Sequence, residues 1–233
     1  EAAGGVEESL ESIIIKLMKK APEGSSQFIS WIFFALSYKS EYGNLRIDYN
    51  SFINLGASIS CIRMIRSVDE AVAEAGVNMA CRLTLQSSDS SAYLLFVSQI
   101  IDTLLGNKNA VGGALTQMTK RTTLFSVLKR CVELRMLPFK RVDAIVIELI
   151  PNLLQLLEKE VEAGHKLLTA SAIGQCLKVD KRSLSDREML VNKMRDLIES
   201  PSANRIPILY ALTLSIATGA FSVPLATEFV QAI

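Results

Sequence analysis

The sequence predicts an all-α fold, a right-handed stack of antiparallel helix pairs (an α-solenoid) of about ten to twelve helices. Three observations carry this expectation. Apolar residues make up 49% of the 233 residues and charged residues only 21%, enough for a core without disulfide or metal staples. Aromatic residues are only 6%, so that core is aliphatic and suits close helix packing. Apolar segments of helical spacing also recur in the second half, starting near Leu124, Val142, Leu167, Met189, Ile206 and Pro224. Taken two at a time their starts lie 43, 47, 39 and 35 residues apart, close to the period of stacked helix pairs.

The N-terminal part, residues 1–105, reads as helices separated by polar turns. Over Val6–Lys20, Leu10, Ile13, Ile14, Leu17 and Met18 share one face, with acids early and Lys19 and Lys20 late, as the helix dipole favours. Pro22 and Gly24 stop this helix. Ser26–Ser37 is a second helix, apolar on nearly every face, with Trp31, Phe33 and Phe34. After a polar loop at Tyr38–Asn44, Asp48 or Asn50 caps a helix that runs to about Arg66, with a break near Gly56. Asp69 caps Glu70–Gln86, whose small residues Ala71, Ala75, Gly76, Ala80 and Cys81 permit close helix approach. A turn and cap at Ser87–Ser91 leads to Tyr93–Leu105.

Gly106–Gly113 holds three glycines and is expected to be a hinge. The C-terminal helical-repeat part, 114–233, continues the same domain. Its helices are Thr123–Leu137, Arg141–Ala163 with Pro151 inside, Lys166–Val179, Met189–Ser200, Ile206–Ala220 and Val223–Ile233. Pro151 must kink its helix or begin a new one. Pro207 and Pro224 stand near helix starts, where proline is tolerated.

The residues argue against catalysis. His165 is the single histidine, with no second histidine or closely spaced cysteines to make a metal site, and a solvent-facing or turn position is expected. The glycine-rich stretch lacks the Gly-Lys-Ser/Thr ending of a phosphate loop. Glu158, Glu160 and Glu162 read as a solvated helix end. No catalytic residue, metal ligand or cofactor is assigned, and an enzyme built on a helical scaffold is the least favoured reading. Cys61, Cys81, Cys131 and Cys176 are far apart and read as buried small hydrophobes in a reducing compartment. No apolar run reaches the roughly 18–20 residues of a membrane span. A chain starting at Glu1 is expected to be a fragment or processed form, from which a targeting peptide could have been removed.

A net charge of +1 offers no global attraction for nucleic acid. One stretch departs from it. Lys120, Arg121, Lys129, Arg130, Arg135, Lys140 and Arg141 fall within 22 residues that hold a single acid, Glu133. Leu124, Leu128, Cys131 and Val132 share the apolar face of this helix, so Lys129 and Arg130 project away from it. Arg135 falls on the apolar side, while Lys120 and Arg121 precede the helix and Lys140 and Arg141 open the next. Long basic arms so placed could follow a phosphate backbone or an acidic protein. Arg63, Arg66 and Arg82 would extend the strip if the helices align. The competing reading is a solvated face balanced by acids on neighbouring helices, Glu148 and Glu158. The apolar helices Ser26–Ser37 and Ile206–Phe221 are core, or seats for a permanent partner.

Ala144–Leu157, with Pro151 between Ile150 and Asn152, resembles the first helix of a HEAT-type repeat. Armadillo and octotricopeptide-like repeats remain alternatives. The general texture also resembles the divergent helical-repeat proteins of organellar RNA processing, including mitochondrial RNA-editing assemblies. That resemblance implies protein subunits and RNA as partners and a mitochondrial matrix address. The expected function is a non-catalytic binding scaffold in an RNA-processing assembly that contacts RNA or an acidic partner through the basic strip. The alternative is a protein–protein adaptor without RNA contact.

Overall fold

The structure, a computed structural model, describes residues 12–16, 48–87, 89–135, 142–180, 188–199 and 204–216. Among these residues the chain is helical and contains no strand. Contacts divide it into two compact units, residues 1–96 and 97–233. The expected helix Ser26–Ser37, the C-terminal segment Val223–Ile233, and Lys140 and Arg141 lie outside the described residues. Residues 12–16, within the expected first helix, are helical, with Ile14 and Ile15 buried.

In the first unit, α1 (Tyr49–Asn54), α2 (Ala57–Ile65) and α3 (Glu70–Gln86) pack on one another. Each start has a local cause. Asp48 caps α1, its Oδ1 accepting the Asn50 amide at 3.0 Å. Asp69 caps α3, accepting the amides of Ala71 at 2.9 Å and Val72 at 3.2 Å. The expected break is at Gly56, whose φ of 105° is a left-handed conformation natural to glycine. The small residues of α3 let α2 come close. A Cβ on Gly76 would sit 2.8 Å from the Ile65 nitrogen, and the Cys61 thiol donates to the Gly76 carbonyl at 2.9 Å.

The boundary between the units falls within α4 (Ser90–Leu105). The glycine-rich stretch after it is tied down at several points. Asn107 Nδ2 donates to Asp102 at 2.9 Å, and the Val111 amide donates to Thr103 Oγ1 at 3.1 Å. Val111 and Leu115 are buried.

The second unit continues with α5 (Met118–Arg135), α6 (Val142–Lys159), α7 (Ala163–Val179), α8 (Glu188–Glu199) and α9 (Arg205–Ile216). Helix α7 is the hub, packing against α5, α6 and α9, while α8 packs on α9. Its composition explains this position. Thr169, Ala170, Ser171, Ala172, Gly174 and Cys176 are all buried and small enough for neighbours to approach from several sides. A Cβ on Gly174 would meet the Ala211 carbonyl oxygen at 3.0 Å and Leu214 Cβ at 3.1 Å. Helix α6 runs unbroken past Pro151, which is exposed on its surface. Its apolar residues Ile145, Val146, Leu149, Ile150, Leu153, Leu154, Leu156 and Leu157 are buried.

Candidate functional site

The basic stretch falls mostly on α5, and the structure divides its residues among different roles. The helix begins at Met118, more than a turn before the expected start at Thr123, so Lys120 and Arg121 belong to its first turns. The added turns place Arg121 three and four residues before Leu124 and Phe125, on the buried side. Its guanidinium lies over the Phe125 ring, 5.4 Å from the centroid. One arm donates to the Leu104 carbonyl at 2.8 Å, and the other pairs with Glu160.

Lys129 pairs with Glu133 one turn along the helix, at 2.9 Å, and Ser171 of α7 donates to the same carboxylate oxygen at 3.3 Å. Arg130 is exposed and Lys120 partly exposed, and neither enters an ion pair among the described residues. Arg135 is the last residue of α5. Arg63, Arg66 and Arg82 belong to the first unit. Of the two expected acidic neighbours, Glu158 instead pairs with Lys193 of α8, at 3.1 Å.

The turn between α6 and α7 differs most from the sequence reading. Glu160 is buried, not solvated, and so is His165, at 6% and 2% exposure. Glu160 ends α6 and folds its carboxylate over the turn, where Oε1 accepts the Val161 amide at 2.9 Å and the Glu162 amide at 3.1 Å. It thereby satisfies amides at the entry to α7, where Glu162 offers no side-chain cap. Burial alone would raise the Glu160 pKa. The hydrogen bond from Arg121, the two turn amides and the Arg121 charge outweigh burial and hold the carboxyl below its ordinary range.

His165 lies flat against Phe125, with ring centroids 4.4 Å apart and planes 18° from parallel. Its Nε2 lies 2.8 Å from Thr122 Oγ1, and its Nδ1 lies 3.6 Å from Glu160 Oε2. Hydroxyl, imidazole and carboxylate thus stand in the order of a nucleophile relay. Two features tell against that chemistry. The Thr122 hydroxyl also lies 3.0 Å from the Met118 carbonyl oxygen, the usual bond of a helical threonine to the preceding turn. If it donates there, Nε2–H donates to Thr122, which leaves Nδ1 as an acceptor with no donor. The carboxylate is already engaged by Arg121 and two amides, and 3.6 Å is beyond a hydrogen bond. Chemically, the cluster is a tie among α5, the end of α6 and the start of α7.

The sequence did contain a signal for this cluster. Arg121 continues the apolar stripe of α5 backward by one turn, and a cation on such a stripe needs a buried partner. The partner could not be read locally, because Glu160 is 39 residues away.

No protein-family model, curated protein or solved structure matches the chain. Among the described residues no group of histidine, cysteine and acidic side chains could hold a metal ion, and no helix is long and apolar enough to cross a membrane.

Proposed function

We propose that this chain is a non-catalytic helical-repeat scaffold in an RNA-processing assembly, and that α5 presents its contact surface. The observation that carries the reading is the packing order of the second unit. Helix α7 packs on α5 and on α9, its next-but-one neighbours in the chain, as well as on α6. The Lys193–Glu158 pair links α8 to α6 in the same next-but-one way. Such contacts support a stack of helix pairs, with α5, α7 and α9 in one row and α6 and α8 in the other. A right-handed, antiparallel arrangement of HEAT, armadillo or octotricopeptide-like kind agrees with this order. The RNA-processing setting and the mitochondrial matrix address rest on the resemblance of the sequence alone.

Within the basic strip the contact narrows to Lys120 and Arg130, with Lys129 beside them. Lys140 and Arg141, the other basic residues of the strip by sequence, lie outside the described residues. Arg121 is withdrawn from it by its pairing with Glu160.

The test is retention of single-stranded RNA over a salt series, comparing the wild type with Lys120→Glu/Arg130→Glu. On single-stranded RNA, loss of each phosphate contact makes the slope of log affinity against log salt shallower by about 0.7. Equal affinity and equal slope for the two proteins would remove RNA from the proposal. The protein–protein adaptor would then be the reading, tested by the subunits that co-purify with the chain.

A further inference from the structure

The first turns of α7 and α9 flank a half-open cleft of about 400 Å³, lined by Val161, Ala163, Lys166, Leu167, Arg205, Ile206 and Pro207. Its walls are apolar and its mouth is greasy. Val161 is 88% exposed and Ile206 73%, while Leu167 also reaches solvent. Single exposed aliphatic residues are ordinary on a protein surface. Here three of them converge on one cavity, whose volume lies in the range of about 300–1,000 Å³ typical of small-molecule sites.

The second observation is independent of the first. Lys166 is only 5% exposed, yet among the described residues it enters no ion pair. Its Nζ has one neutral partner, Asn204 Oδ1 at 2.5 Å, and Asn204 is itself buried. Lysine is almost never buried without a counter-charge. An ammonium has three donors, and one amide oxygen leaves two of them unused. The Glu162 carboxylate lies one turn earlier but does not pair with it. A buried cation without an anion, lining an apolar cleft, fits a ligand that brings both an anion and an apolar body.

We propose that this cleft binds a small organic carboxylate with an aliphatic tail. The carboxylate accepts from Lys166 Nζ, and the tail lies between Val161, Leu167, Ile206 and Pro207. This site is separate from the α5 surface and does not depend on the RNA reading.

The experiment is calorimetric titration of the full chain with decanoate, with decanol and decylamine as the uncharged and cationic counterparts. Saturable binding of decanoate, at least tenfold tighter than of decanol and absent for decylamine, is the expected result. Lys166→Met should weaken decanoate at least tenfold. Because that variant removes a buried partner of Asn204 and could fail to fold, Ile206→Glu provides the second arm. It places an acid at the exposed mouth and should abolish binding while leaving the melting temperature within a few degrees. The proposal is overturned by equal binding of decanoate and decanol, or by no saturable binding. It is also overturned if either folded variant binds as the wild type does, or if an acidic apolar peptide saturates the cleft where decanoate does not.

Discussion

Arg121 and Glu160 form an ion pair across 39 residues of sequence, joining the first turns of α5 to the corner between α6 and α7. The Glu160 side chain is 4% exposed and that of Arg121 20%. The pair therefore has less water to screen it than a surface bridge, and it does more than neutralise charge. The same carboxylate holds the turn amides of Val161 and Glu162, and the same guanidinium holds the Leu104 carbonyl.

Replacing Glu160 should thus be costly in a pH-dependent way. Glu160→Gln leaves Arg121 half-buried without its anion, a loss of about 3 kcal/mol, the lower end for a broken buried pair. Because the folded state depresses the Glu160 pKa, the contribution is fully present above the unfolded glutamate value of about 4.3. It is lost as pH falls through the lower folded value. Urea midpoints at pH 7 and pH 3 test this. The gap between wild type and variant should shrink toward acid, and a gap that widens would contradict the assignment.

Arg121 and Arg130 should part company in the same assays. Arg121→Gln should destabilise by about 1–3 kcal/mol, since it strips a buried carboxylate and a carbonyl of their donor. Arg130→Gln should stay within about 0.5 kcal/mol of wild type, as exposed substitutions do. Denaturant unfolding of both variants, read beside RNA retention, separates the structural arginine from the surface one.

Two glycines should respond oppositely to alanine. At Gly76 the added methyl meets the Ile65 nitrogen at 2.8 Å and Met64 Cβ at 2.9 Å, so α2 and α3 must separate, costing about 1–3 kcal/mol. At Gly164, in the first turn of α7, the nearest atom is Glu162 Oε1 at 3.8 Å. There, alanine restricts the unfolded chain and should stabilise by about 0.5 kcal/mol. Thermal melts of the two variants should shift in opposite directions.

The four cysteines should be silent toward thiol reagents in the folded protein. All are buried, and burial, reinforced by the charge of Asp180, pushes the Cys176 thiol far above its ordinary range. The thiolate is the reactive form, so disulfide-exchange reagents should label these positions slowly at neutral pH and fully in denaturant. Rapid native labelling of Cys176 would show that α7 opens locally.

The sequence by itself determined the parts of this protein that depend on neighbours in the chain. The helical character of these segments, the cap at Asp69, the break near Gly56 and the close approach at Gly76 follow from periodicity, side-chain oxygens and residue size, while the structure chose Asp48 over Asn50 as the cap of α1. The burial of the cysteines follows from their apolar neighbours. Tertiary structure alone decided which charges are spare and which are partnered. Arg121 continues the apolar stripe of α5, but nothing near it names its partner, and nothing near Glu160 distinguishes it from Glu158 or Glu162. Their difference arises when α5 and the α6–α7 corner meet across the small residues of α7. His165 is buried for the same reason, since Phe125 and Thr122 come to it from another helix. The pairing energy of a side chain depends on the medium and the partner at its tip, and folding sets both. That is why the basic strip, continuous in sequence, divides on α5 into an exposed Arg130 and a partly exposed Lys120, a Lys129 paired with Glu133 and an Arg121 paired with Glu160.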